Sequence, residues 1–209
     1  MKERSLKSSQ RIAVVSFVLS TVVLTSGCAS DHRAKGSSAP DEAEMTARWM
    51  AFMTPGAEHK VLDSKVGKWS THVSWWMDES SPPGESDGTC EIQWVLGGRY
   101  LSEHDEGTAM GMPFQGMGIS GYDNLKKKYV TGWVDNMGTG IMTAEGTYDA
   151  AKKTFTYMGS GPDLVQEKYV RVRTVETMVD ANHFKVEMYG PDPKGKEFRT
   201  MEIVYTRVK

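Results

Sequence analysis

Residues 116–135 read GMGISGYDNLKKKYVTGWVD. Phe114, Met117, Ile119 and Tyr122 precede a polar centre, and Tyr129, Val130, Trp133 and Val134 follow it. Asp123 and Asn124 tolerate left-handed backbone angles and bond locally to the main chain, so the centre predicts a tight turn between two antiparallel strands. Gly116-x-Gly118-x-x-Gly121 has the spacing of a dinucleotide fingerprint. That fingerprint needs a strand before it and a helix after it; here a turn and a second strand follow. The glycines therefore read as relief of crowding in a curved strand.

The two-residue period of this hairpin extends along most of the chain. From Trp69 onward it predicts strands at 68–77, 87–96, 99–106, 114–122, 128–135, 139–148, 153–159, 165–176, 183–190 and 197–208. Turn clusters separate them, among them Pro82-Pro83-Gly84, Gly97-Gly98, Asp149-Ala150, Asp180-Ala181-Asn182 and Asp192-Pro193-Lys194-Gly195. Two turns are alike, Tyr122-Asp123-x-x-Lys126-Lys127 and Tyr148-Asp149-x-x-Lys152-Lys153, each followed by an aromatic residue, Tyr129 or Phe155. Successive hairpins without long crossovers make a meander, and a meander of this length removes its exposed edges by closing. The expected fold is all-β: an antiparallel up-and-down barrel of about ten strands with one or two short N-terminal helices.

Ahead of the strands the chain changes character. Lys2, Arg4, Lys7 and Arg11 form a basic segment, followed by the apolar run IAVVSFVLSTVVL at 12–24, which is short for a membrane span. Thr25-Ser26-Gly27-Cys28 then resembles the lipobox of bacterial lipoproteins, with Thr25 where an aliphatic residue is usual. The resemblance implies a signal peptide at 1–27, an acylated Cys28 and, with Ala29 next, sorting to the periplasmic face of the outer membrane in a Gram-negative host. Residues 28–40 read as a flexible tether. Residues 41–55 hold a helix, capped by Asp41, with Met45, Trp49, Phe52 and Met53 on one face expected to pack on the domain. A second short helix is expected at 58–66 with Leu62 and Val66 inward. The barrel domain occupies 56–209.

The whole chain has 209 residues, 39% hydrophobic and 25% charged, with a formal charge of −2. Nothing basic enough for nucleic acid is present, and the expected membrane contact is the lipid anchor alone. With Cys28 acylated, Cys90 has no disulfide partner and alternates with Ile92 and Trp94 as a small buried group.

Gly67-Lys68-Trp69 at the first strand resembles the Gly-x-Trp motif of lipocalins and other calycins. That resemblance implies that Trp69 packs across a closed barrel end against Arg207 of the last strand. Residues 56–208 as a whole resemble the bacterial family of unknown function DUF1579. The matching pieces include Glu58-His59-Lys60-x-Leu62, Leu96-Gly97-Gly98-Arg99-Tyr100-Leu101, Gly121-Tyr122-Asp123-Asn124, Trp133-x-Asp135, Glu145-Gly146-x-Tyr148-Asp149 and Met201-Glu202-Ile203-x-Tyr205-Thr206-Arg207. The resemblance implies a calycin-like antiparallel up-and-down barrel and supplies no catalytic residues.

If Trp69 and Arg207 face inward, alternation turns Val73, Trp75 and Met77, and Met201, Ile203 and Tyr205, the same way. The expected ligand-lining residues are Trp75, Trp94, Tyr100, Trp133, Tyr169, Arg171, Met201 and Tyr205. Strand 165–176 alternates on both faces, leaving open whether Tyr169, Arg171 and Arg173 or Val170 and Val172 are inside. Composition also leaves open whether the interior is a solid core or a cavity. Met110-Gly111-Met112 suits either a soft metal or an irregular apolar surface, and the glycine-rich segment 107–118 suggests a flap over the mouth. In Glu103-His104-Asp105-Glu106, alternation separates His104 from both neighbours, so the segment reads as a polar strand end. No Ser-His-Asp order, zinc spacing or phosphate loop occurs, so no catalytic residue, metal or cofactor is expected. The expectation is a lipid-anchored, non-enzymatic barrel for a small apolar or amphipathic molecule. The alternatives are an enzyme using an interior group such as His104 or Arg171, and an envelope scaffold binding protein through an outer face around Trp76.

Overall fold

Ten antiparallel strands close on themselves in chain order. They are β1 (Gly67–Trp75), β2 (Gly84–Val95), β3 (Tyr100–Ala109), β4 (Met112–Asp123), β5 (Lys128–Asp135), β6 (Met142–Asp149), β7 (Thr154–Asp163), β8 (Lys168–Met178), β9 (His183–Pro191) and β10 (Glu197–Arg207). Each pairs with its neighbours in sequence, and β1 pairs with β10 to complete the barrel. The computed structural model describes residues 39–164 and 166–209. The expected signal peptide, Cys28 and all but the end of the tether lie outside the described residues.

Local chemistry explains why the hairpins form where they do. In both twin turns the aspartate caps the bend: Asp123 Oδ1 accepts from the backbone N–H groups of Leu125 and Lys126, and Asp149 Oδ1 from those of Ala151 and Lys152. Lys127 and Lys153 then take up positive φ, near 53° and 51°, and hand the chain to the next strand. The aromatic residues that follow, Tyr129 and Phe155, turn inward and meet edge-to-face with centroids 4.9 Å apart. The expected flap at 107–118 is instead a continuous hairpin. Met110 and Gly111 both adopt left-handed angles, the geometry of a two-residue turn that matches the twist of paired strands. Met110, Met112 and Met117 are exposed on it.

One end is closed from below. Helix α2 (Ala57–Lys60) and a 3-10 turn (Val61–Lys65) cover it, inserting fully buried Leu62. Trp69 is 1% exposed and donates from its indole to the Lys65 carbonyl at 2.9 Å. Trp69 and Arg207 are directly paired across β1 and β10, and the Arg207 guanidinium lies 4.0 Å over the Trp69 ring. The same guanidinium donates to the carbonyls of Val66, Ser64 and Ala181 at 2.7–3.0 Å. Gly67 has φ of 143°, and a methyl there would collide with Arg207 Nη1, so the glycine of Gly-x-Trp is what admits the arginine.

Above this plug lies a layer of aromatic residues. Phe184 stacks on Tyr205 at 4.0 Å, and Phe155 touches Tyr129, Tyr148 and Tyr157. Toward the opposite end, which no helix among the described residues covers, inward-facing residues change state. Val73, Trp75, Phe114, Trp133, Met142, Val172, Met188 and Met201 remain only half-buried.

Helix α1 (Glu42–Met53) is capped as expected, Asp41 Oδ1 accepting from the Glu44 N–H at 2.8 Å. Its expected packing is not found, for none of its residues is buried. Trp49 is 57% exposed. The helix is held at its C-terminal end, where the Asn124 amide donates to the carbonyls of Ala51, Phe52 and Thr54. Three hydrogen bonds to one end leave the apolar face without a partner among the described residues.

Candidate functional site in the barrel interior

The interior carries a polar cluster between the aromatic layer and the open end. Its centre is β3. Leu101 is buried inward, so the strand's alternation turns Glu103 and Asp105 inward with it and leaves His104 outside. The same rule that separates His104 from its neighbours therefore places both neighbours in the barrel. Sequence reasoning applied it to the histidine and missed the two carboxylates; the apolar Leu101 was the signal that could have found them.

The register supplies the surroundings. Glu103 lies opposite Gly118, and Asp105 opposite Gly116 and Cys90. Trp133 of β5 is paired with Gly118, and its indole extends over Gly116. A methyl on Gly118 would stand 3.2 Å from the Trp133 ring and 3.3 Å from Glu103 Cβ, so the ring and the carboxylate side chain flank one spot. The Gly116-x-Gly118 pattern makes room for that indole. Trp133 Nε1 is anchored on Asp135 Oδ2 at 2.8 Å.

Glu103 Oε1 accepts from Tyr205 Oη at 3.2 Å and from Cys90 Sγ at 3.7 Å. Lys65 rises from the plug and pairs with Glu176 of β8 at 2.9 Å, both nearly sequestered from solvent. Two side-chain atoms facing this region have no partner, Asp105 Oδ2 and Tyr157 Oη. Tyr157 is 1% exposed. Burial pushes the Glu103 carboxyl up, against the pull of Lys65. Burial and then the Glu103 charge push Asp105 up to about 8. Burial, followed by both carboxylates, drives the Cys90 thiol well up, so it holds its proton and is no nucleophile. For Lys65, burial opposes the charge, but Glu176 and Glu103 outweigh it and keep the ammonium charged. Burial raises Tyr157 and Tyr205 far above the ordinary phenol range. Cys90, Glu103 and Asp105 bring one ligand atom each within 4.8 Å of one another, close enough to share one metal ion.

The expected lining residues divide. Trp75, Trp94, Trp133, Met201 and Tyr205 lie on inward-facing positions; Tyr205 is buried in the aromatic layer, and Trp94 Nε1 bonds Asp63 at the helix end. Tyr100, Tyr169 and Arg171 are corrections. Tyr100 lies on the outer face, across Gly121. Tyr169 is 56% exposed and Arg171 is exposed, because Val170 and Val172 take the inner face of β8. The valines win because the same parity buries Glu176 against Lys65 and Met178 in the core. Arg173, also outside, pairs with Glu197 and lies over Tyr189 at 3.9 Å. Met77 is 76% exposed, since β1 ends at Trp75.

Two hollows open at the surface. One of about 370 Å³ at the helix end is lined by Glu58, Val61, Tyr122, Tyr129 and Tyr148. The other, about 470 Å³, lies across β3, β4 and β5 and is lined mostly from their outward faces, by His104, Glu106, Gln115 and Met117, together with Asp105 and Gly116.

The family described as "Protein of unknown function (DUF1579)" matches residues 54–207. The chain belongs to DUF1579. This DUF1579 chain matches no curated protein. Among solved structures it is similar to Rv2717c from M. tuberculosis, at 12% identity and a TM-score of 0.57, covering 75% of this chain and all of that one. That likeness is one of fold. A redesigned β-barrel, b11L5F_LGL, matches at 16% identity over 73% of this chain and 96% of the other, with a TM-score of 0.35.

Proposed function

We propose that this DUF1579 protein is a non-enzymatic binding barrel that takes a small apolar or amphipathic molecule through its open end, and that it is lipid-anchored through Cys28 at the cell envelope. One observation carries the binding reading. The aromatic layer fills the helix end, whereas Val73, Trp75, Phe114, Trp133, Met142, Val172, Met188 and Met201 face inward yet keep contact with solvent. Apolar side chains left half-wet on a concave inner wall gain by covering it with a ligand. The enzyme reading loses the residues it rested on, since His104 and Arg171 are both exposed on the outer wall. Trp76, the proposed contact of a scaffold, is half-buried with Arg199 stacked 4.6 Å over its ring.

Native mass spectrometry of purified protein, with organic extraction of the denatured sample, tests the reading. The expected result is a releasable small molecule, or saturable uptake of an apolar probe that quenches tryptophan fluorescence. Val172→Trp, at an inner position beside Gly161, adds bulk to the half-buried wall toward the open end and should weaken uptake at least about tenfold while leaving the fold intact. A protein that carries nothing and takes up no probe is not a binding barrel.

A further inference from the structure

We infer that the interior cluster of Glu103, Asp105, Tyr157 and Trp133 receives the cationic head of an amphipathic amine, whose apolar part lies along the half-buried wall toward the open end. The inference rests on the binding-barrel reading and specifies its ligand.

Acidic groups outnumber cations in the cluster. From the plug comes Lys65; from β3, Glu103 and Asp105; from β8, Glu176. Lys65 pairs with Glu176 at 2.9 Å and also acts on Glu103 and, less, on Asp105, so among the described residues three carboxyls share one cation. Cys90 and Tyr205, from β2 and β10, bring only neutral donors, Tyr205 to Glu103 and the Cys90 thiol to both carboxyls. Asp135 at the rim is occupied by Trp133 Nε1 and the Met137 N–H. A buried carboxylate without a counter-charge is costly, and an ammonium group supplies one.

The hydrogen-bonding inventory points the same way. Asp105 Oδ2 and the enclosed Tyr157 Oη have no partner, and both can accept. Tyr157 Oη lies within the electrostatic reach of Glu103 and Glu176. An ammonium has three N–H groups to give. Geometry adds the wall. Gly116 and Gly118 leave β4 bare opposite the carboxyls, and the Trp133 indole lies across that gap beside Glu103. A carboxylate beside an indole is the recognition chemistry of an organic cation. A divalent metal at Cys90, Glu103 and Asp105 would have to displace the thiol proton, and would leave Tyr157 and Trp133 without a role.

The test compares three probes with one tail and different heads, dodecylammonium, dodecanol and dodecanoate, below their micellar concentrations, on the purified protein at neutral pH. Binding is read by tryptophan fluorescence and calorimetry. Dodecylammonium is expected to bind at least about tenfold tighter than dodecanol, and dodecanoate more weakly than both. The double variant Glu103→Gln, Asp105→Asn should lose the preference for the ammonium while still binding dodecanol, which also reports an intact barrel. In the wild type, ammonium binding should release protons, seen as a binding enthalpy that varies with the buffer. Equal affinities for all three heads would leave the binding barrel standing and overturn the cation assignment. So would an ammonium preference that survives in the double variant, or a cobalt(II) titration giving a thiolate charge-transfer band that Glu103→Gln abolishes, with no amine preference. Uptake of none of the three probes would overturn the binding barrel and this inference together.

Discussion

Arg207 meets the indole of Trp69 with its flat face and three backbone carbonyls with its edge. A lysine would keep the charge, but a single ammonium cannot lie flat on a ring and reach carbonyls from the plug and from the β8–β9 turn at once. Arg207→Lys is therefore expected to cost roughly 1–3 kcal/mol in urea denaturation, with an unchanged m-value. A neutral outcome would mean that the stacking contributes little at this site. Both residues could be named from the chain alone, because the Gly-x-Trp tripeptide and a terminal-strand arginine are local text. Glu103 and Asp105 were written just as locally, but an acidic tetrad around a histidine has the composition of a solvated strand end. Nothing near it in sequence announces the tryptophan, tyrosines and lysine that enclose it. Lys65 and Glu176 are 111 residues apart. Only barrel closure brings them together.

At the level of elements, the strands were legible because their two causes are short-ranged: alternation, and turn residues with particular backbone angles. The boundaries moved by a few residues, as in β6, which starts at Met142 rather than 139, after an irregular connection. The helices were harder, since a helical face states that something apolar could cover it and not what does. Helix α1 has no buried residue, so Trp49→Ala on its exposed apolar face should move the melting temperature by no more than about 2 °C. A larger drop in a thermal melt would show that the helix packs on the barrel in solution. The plug is the opposite case. Lys65→Met leaves Glu176 enclosed without its cation and is expected to destabilise by about 3–5 kcal/mol, whereas adding Glu176→Leu should recover most of the loss. Chemical denaturation of the two single variants and the double variant measures the coupling directly.

For the whole molecule, the enclosed carboxyls give stability a particular dependence on pH. Asp105 holds its proton up to about 8 in the barrel, against an ordinary value of 3.8, and Glu103 is shifted the same way. Between those limits the unfolded chain has released the proton and the folded one has not, so the folded state binds more protons. Stability is then greatest below the unfolded value, falls as pH rises towards 8, and levels off above it. Asp105→Asn, neutral at every pH, should flatten that slope and be the more stable protein at pH 8, by an amount on the order of a few kcal/mol. Melting temperatures recorded from pH 5 to pH 8 distinguish this from an Asp105 that titrates normally, for which the wild type and the variant would run parallel.

The seam between β1 and β10 has a kinetic meaning as well. Every other ladder joins strands adjacent in the chain, so it can zip from a turn of a few residues. The seam joins partners as far apart as Trp69 and Arg207, 207 − 69 = 138 residues along the backbone. The entropy of drawing such ends together must be met before any of its contacts form. Folding is then expected to run as a spreading ribbon of hairpins that waits on one late event, with Trp69 and Arg207 as the clasp. Until the clasp shuts, the ribbon has two bare edges through which one copy could pair with another.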